Sequence, residues 1–232
     1  MNEQKLSKRL ERVASFVPKD AIVADIGSDH AYLPAWLYLN HKIKKAIAGE
    51  VVEGPYNSAK SLVASLGLEE HISVRLADGL EVLKAEDGVT AITICGMGGT
   101  LIRDILIRGK AKGHLSGKER LILQPNVGEP TLRRWLQAEG YQILREDILE
   151  EDEKIYEIIV AEKTGETTNY DERTLFFGPF LGEQKGEVFA QKWQQQLEKY
   201  RYILASMEKA EQVDSAKVTE VKEKISWIEE VI

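Results

Sequence analysis

Cysteine is almost missing from this chain. Cys95 is the single one in 232 residues, so no intrachain disulfide can form and a cytosolic address is the expectation. Long hydrophobic runs are also missing. The longest, such as AITIC and LIL, fall far short of the roughly 20 residues that a membrane-spanning helix needs. The start, MNEQKLSKRLERV, is charged and amphipathic rather than a secretory leader. Histidine is scarce: His30, His41, His71 and His114 are scattered and do not combine with Cys95 at metal-ligand spacing, so no metal is expected. No nucleophile–base triad stands out. A general excess of positive charge is lacking too. The formal net charge is −7, so nucleic acid could be met only through local basic patches.

What is present is an ordinary balance of 43% hydrophobic and 30% charged residues, enough for one domain with an appendage. A basic amphipathic helix is expected over residues 3–16. Apolar strand signals then alternate with helical patterns. The strands are AIVADIG (21–27), KAIAGE (45–50), ISVRLADG (72–79), VTAITICGMGG (89–99) and ERLILQPN (119–126). Five such alternations predict a largely parallel sheet with helices on both faces. Residues 141–163 read as two strands around a short acidic turn, which forces an antiparallel pair. That inventory is an α/β, Rossmann-like sheet of the class I methyltransferase type, mostly parallel with an antiparallel last strand.

The domain division predicted is a sheet domain over 1–163, a linker over 164–182 and a helical hairpin over 183–232. Phe189, Trp193, Tyr200, Ile203 and Met207, with Gln196 in a polar slot, follow a heptad rhythm. Val218, Val221, Ile225, Ile228 and Ile232 repeat it. QVDSAK (212–217) breaks the rhythm and can turn the chain. An antiparallel coiled-coil hairpin is expected, with a first arm of about 30 residues and about 45 Å. Two helices packed on the domain as ordinary core are the competing reading.

In a doubly wound sheet, ligands bind beyond the carboxyl ends of the strands. After the first strand stand Asp25, Gly27, Ser28, Asp29 and His30. Gly27 lets backbone approach a ligand, whereas Asp29 would repel a pyrophosphate. S-adenosylmethionine has no phosphate; its ammonium and sulfonium suit carboxylates. A tight turn capped by Ser28 or Asp29 would explain the loop equally well. Glu50 ends the second strand, where an acid accepts from ribose hydroxyls. Asp78, followed by Gly79, can accept from an adenine amine, although Asp-Gly is also a common turn pair. Three acids at three successive strand ends outline one nucleoside cofactor.

After the fourth strand, Gly96, Met97, Gly98 and Gly99 allow a close approach, with Met97 as a soft wall for a base. After the fifth, the Gln124 and Asn126 amides can read a base edge. His30 and Tyr32 are further base-contacting candidates. Cys95, on an apolar strand, reads as buried filler. Basic residues cluster from Arg103 through Arg108, Lys110 and Lys112 to Lys118 and Arg120, with Arg133 and Arg134 after the fifth strand. Lys5, Lys8, Arg9 and Arg12 form a stripe on the first helix. These suggest a phosphate-contacting rim, against the plainer reading of a solvated surface.

Taken as a set, DIGSDHAYLP, GE after the second strand, DGLEV, GMGG, RLILQPN, LRRWL and EED.K.YEI resemble the TrmK family, bacterial tRNA (adenine-N1)-methyltransferases acting on adenine 22. The resemblance covers about residues 1–163, and more weakly the C-terminal hairpin. It implies S-adenosylmethionine as methyl donor and tRNA as substrate, with Gly27, Glu50, Asp78 and Gly79 holding the cofactor. It also implies that loops 96–99 and 124–126 face the base. Adenine N1 carries a lone pair, so methyl transfer there needs no obligatory general base. Two alternatives are a small-molecule methyltransferase, which would not need the basic rim, and a non-enzymatic scaffold, which would not bind the donor.

Overall fold

Central strands buried at almost every position, between helices buried at every third or fourth, sort this chain into two layers of helix around one sheet. The computed structural model describes residues 4–166, 168–209 and 214–232. After helix α1 (Lys8–Phe16), strands β1 (Ala21–Ile26), β2 (Ile43–Glu50), β3 (Ile72–Leu76), β4 (Ala91–Gly98) and β5 (Arg120–Val127) alternate with helices. These are α2 (Tyr32–Leu39), α3 (Glu53–Ser65), α4 (Gly99–Ala111) and α5 (Glu129–Ala138). Two 3₁₀ turns, Gly79–Val82 and Ala85–Asp87, connect β3 to β4. β6 (Gln142–Glu151) and β7 (Lys154–Glu162) complete the sheet in the order β3-β2-β1-β4-β5-β7-β6. The first five strands pair in parallel, and β7 runs antiparallel between β5 and β6. This is the Rossmann-like methyltransferase sheet that the alternation predicts.

Neighbouring residues of one strand feed opposite cores. Ile122 packs with α1, α2 and α3 residues such as Val13, Leu37 and Val63. Leu121 and Leu123 pack with Ile102 and Leu106 of α4 and Leu132 and Leu136 of α5. The pleat sets this alternation, because successive side chains leave a strand on opposite faces. α1 begins at Lys8, later than the pattern suggests, because the Ser7 hydroxyl accepts from the Leu10 N–H and caps it there.

The stretch expected to be a linker is folded. α6 (Glu172–Phe177) and α7 (Leu181–Gln184) bury Leu175, Phe176, Phe177 and Leu181. Phe176, Phe177 and Leu181 form a third core with Phe189, Trp193 and Leu197 of α8 (Glu187–Glu208) and Ile228 of α9 (Ser215–Val231). Apolar area explains this: Phe176 and Phe177 would otherwise stay in water. α8 is consequently 22 residues long, about 33 Å, rather than the longer arm expected. Ion pairs Arg201–Glu229 (2.6 Å) and Glu208–Lys222 (3.1 Å) fix α8 and α9 as antiparallel. Leu197 and Leu204 take places in the α8 stripe, while Ile203 is exposed. The residues expected to turn the chain lie partly outside the described ones, at 212 and 213.

Candidate functional site

The carboxyl ends of β1, β4 and β5 converge on a crevice of about 320 Å³. Its lining includes Asp25, Gly27, Ser28, Asp29, Cys95, Gly96, Met97 and Asn126, together with Arg9 of α1 and Tyr156 of β7. Glu50 and Asp78 stand at the neighbouring ends of β2 and β3, beside this crevice rather than in its lining.

The β1 loop is held in an unusual shape. Gly27 is left-handed, and a Cβ there would collide with the Met97 methyl, so Met97 lies against bare backbone. Asp29, His30 and Ala31 follow with φ of 42°, 71° and 58°. Three consecutive left-handed L-residues cost roughly 1–2 kcal/mol each, and such strain persists only where the surroundings over-determine it. Here the Glu50 carboxylate accepts the Asp29 N–H. Asp25 accepts from the Ser28 hydroxyl and the Thr93 hydroxyl, both at 2.6 Å. Burial raises the pKa of Asp25 despite these bonds and the nearby Arg9. Burial raises Glu50 as well, opposed by the Asp29 N–H. His30 and Tyr32 stack on each other at 5.3 Å and do not line the crevice. Tyr32 packs partly buried against the α1–α3 core, so its expected contact with the base is not supported.

The two loops expected to face a base are tied to each other. A Cβ on Gly99 would collide with the Gly128 carbonyl, so this glycine is required by the opposite loop rather than by a ligand. Gln124 corrects the expectation of base reading: it is fully buried. Its Oε1 accepts from Gly96 N–H at 2.9 Å and from the Arg9 guanidinium, and its Nε2 donates to Pro125 O and to Asn126 Oδ1. Asn126 Nδ2 in turn donates to Gly96 O at 2.8 Å. Asn126 is exposed and orientated; Gln124 is the buried strut behind it. Cys95 lies at the same strand end, and burial, with Asp25 nearby, raises its thiol pKa well above the usual thiol range. Asp78 is exposed and faces Arg108 at 3.2 Å through both oxygens.

The basic residues separate sharply. Arg133 is a second correction. It is fully buried, bonded to Glu146 (2.6 Å) and Glu157 (2.5 Å), and cannot reach a phosphate. Arg9 turns inward onto Gln124, with its guanidinium 5.3 Å from the Tyr156 ring centroid. Arg12 pairs with Asp147, and Lys8 is exposed; Lys5 is exposed too. Arg103 pairs with Asp104, Lys110 with Glu139, Lys112 with Glu81 and Arg134 with Glu172.

Three residues had escaped notice in the sequence: Tyr156, Thr93 and Lys192. Lys192 of α8 is nearly buried, bonded to Glu129 at the start of α5 and to Glu157 beside Tyr156. Burial works against both network carboxylates. It raises Glu146; at Glu157, Lys192 and Arg133 outweigh it and the pKa is lowered. Arg9 did carry a signal, since it lies three residues after Leu6 and four before Val13, on the edge of the buried face of α1. Among the described residues no helix is long and apolar enough to cross a membrane, and no group of three His, Cys, Asp or Glu could hold a metal ion.

The family model described as TrmK, tRNA (adenine(22)-N(1))-methyltransferase, matches residues 23–230. The chain is 49% identical over 238 residues to the tRNA (adenine(22)-N(1))-methyltransferase of Bacillus subtilis, covering 100% of this chain and 99% of that one. A Streptococcus pneumoniae protein solved in complex with S-adenosyl-L-methionine superposes with a TM-score of 0.88 at 49% identity, over 98% of this chain and 99% of that one. M. capricolum TrmK, solved with S-adenosyl-homocysteine, superposes with a TM-score of 0.81 at 28% identity, over 97% and 96%. Because these matches run through both the sheet and the helical hairpin, the chain belongs to the TrmK family of tRNA (adenine(22)-N(1))-methyltransferases.

Proposed function

We propose that this chain methylates N1 of adenine 22 in tRNA, in the cytoplasm, and that the crevice at the ends of β1, β4 and β5 is where donor and base meet. The observation that carries the reading is the row of acids at adjacent strand ends around a loop that excludes side chains at Gly27. This donor set fits S-adenosylmethionine, which supplies an electrophilic methyl on a sulfonium and presents no phosphate to Asp29. Glu50 has one oxygen engaged by the Asp29 N–H, leaving the other to accept from a ribose hydroxyl. Asp78 and the backbone of Gly79 stand where the adenine edge of the donor would lie. Ser28 and the Asp29–His30 backbone border its amino-acid end, over Asp25.

Adenine N1 attacks with its own lone pair, so the chain's work is alignment and exclusion of water. Met97 closes one wall of the crevice. Asn126, held by Gln124 and the Gly96 carbonyl, offers a fixed amide to the base edge. Arg9 is a positioning residue: it braces Gln124 and lies over Tyr156. N1 sits on the Watson–Crick edge, so the base must leave its stack, at a cost of a few kcal/mol. Incubating unmodified tRNA with methyl-labelled donor should yield labelled N1-methyladenosine by nucleoside mass spectrometry. Label found only in small molecules, with tRNA unlabelled, would sink this reading.

A further inference from the structure

A groove of about 720 Å³, larger than the crevice, runs between α8 on one side and, on the other, the start of α5 with the β6–β7 turn. Asn126 and Tyr156 line both the groove and the crevice, so the two run into each other at the residues that would meet the base. Five cationic side chains and two carboxylates line the groove, in a chain whose net charge is −7. Lys154, on β7 after the turn, and Lys199, on α8, are exposed on its opposite walls. Neither has a carboxylate partner among the described residues, unlike the cations of α4, which are already bonded to Asp104, Glu139 and Glu81. Tyr156 and Tyr200 add half-buried aromatic rings between them.

We infer that this groove, rather than the α4 face, carries the RNA backbone next to the target nucleotide. The inference rests on the tRNA methyltransferase reading above and specifies its substrate path. A base flipped into the crevice leaves its flanking phosphates at the crevice mouth, and the groove is the channel that opens there. Unpaired lysines can neutralise phosphates without first breaking an internal ion pair, and aromatic rings accept unstacked bases. A lysine already bound to a carboxylate releases fewer counterions and adds less.

Two double variants of the full chain separate the faces: Lys154→Gln with Lys199→Gln in the groove, and Lys110→Gln with Lys112→Gln on α4. The readouts are affinity for an unmodified tRNA transcript at several salt concentrations, donor affinity by calorimetry, and melting temperature. The groove variant should lose about tenfold or more in tRNA affinity. The slope of log affinity against log salt should flatten by about one per lysine. Donor affinity and melting temperature should stay at wild-type values, and the α4 variant should bind tRNA within about twofold of wild type. Wild-type tRNA affinity in the groove variant, or an equal or larger loss in the α4 variant, overturns the inference. The nucleoside assay on wild-type protein decides the parent reading separately, since methylated tRNA there with an indifferent groove condemns the groove alone.

Discussion

Two buried polar centres lie in different parts of the sheet, one at β1 and β4 and one at β6 and β7, and they are built differently. At the joint between sheet and hairpin, Arg133, Glu146, Glu157, Lys192 and Glu129 pair among themselves. Every charge there has a counter-charge, and the network ties α5, β6, β7 and α8 together. At the crevice, Asp25 is equally buried but has only two hydroxyl donors in contact, with Arg9 engaged elsewhere by Gln124. Among the described residues no cation pairs with it, and burial raises its pKa. A saturated buried network serves attachment; an unsaturated one at a cavity leaves capacity for a ligand.

The sharpest way to break the contrast is at the joint. Arg133→Met strands the buried Glu146 carboxylate and leaves Glu157 with Lys192 alone. It should cost about 3–5 kcal/mol, or on the order of 10 °C in melting temperature, read by calorimetry. A loss below about 1 kcal/mol would mean the joint is not the saturated network described. At the crevice, Arg9→Met should lower the turnover rate on tRNA roughly ten- to a hundredfold by loosening Gln124 and Asn126. Donor affinity should remain within a few-fold, and Arg9→Lys should rescue in part. If Arg9→Met instead weakens tRNA binding and flattens its salt dependence at unchanged turnover, Arg9 holds a phosphate and the positioning role is wrong.

The smallest effect concerns the pH profile of Asp25. Its folded-state pKa is raised, so the folded chain holds the proton more tightly than the unfolded one. Asp25 therefore favours folding most below the unfolded value, and that contribution falls away as pH rises through the folded value. Asp25→Asn should flatten this decline, and at neutral pH it should melt no more than about 1 kcal/mol below wild type while losing donor affinity. Melting curves from pH 4 to 8 on both proteins check it. A variant whose melting temperature falls further behind wild type as pH rises would show that the ionised carboxylate stabilises the fold.

Much of the site was legible because a strand and the loop after it are neighbours in sequence. Asp25, Glu50 and Asp78 could be assigned to strand ends from periodicity alone, and the alternation itself implied that those ends share one edge. The expectations for Arg133 and Gln124 failed for a common reason: whether a polar side chain points to solvent depends on partners that periodicity does not see. Arg133 meets Glu146 and Glu157, 13 and 24 residues away, and Arg9 meets Gln124, 115 away. The same limit made residues 164–182 look like a connection, although Phe176 and Phe177 find their cover on α8 and α9.

By itself, then, the order of residues determined the parallel sheet, the acids at its edge and the pairing of two C-terminal helices, all consequences of short-range period and hydrophobic pattern. Only the tertiary structure decided which cations are spent on internal carboxylates and which, among the described residues, stand unpaired in the groove. Charge pairing acts over a few ångströms in space, and those ångströms join segments that lie tens of residues apart along the chain.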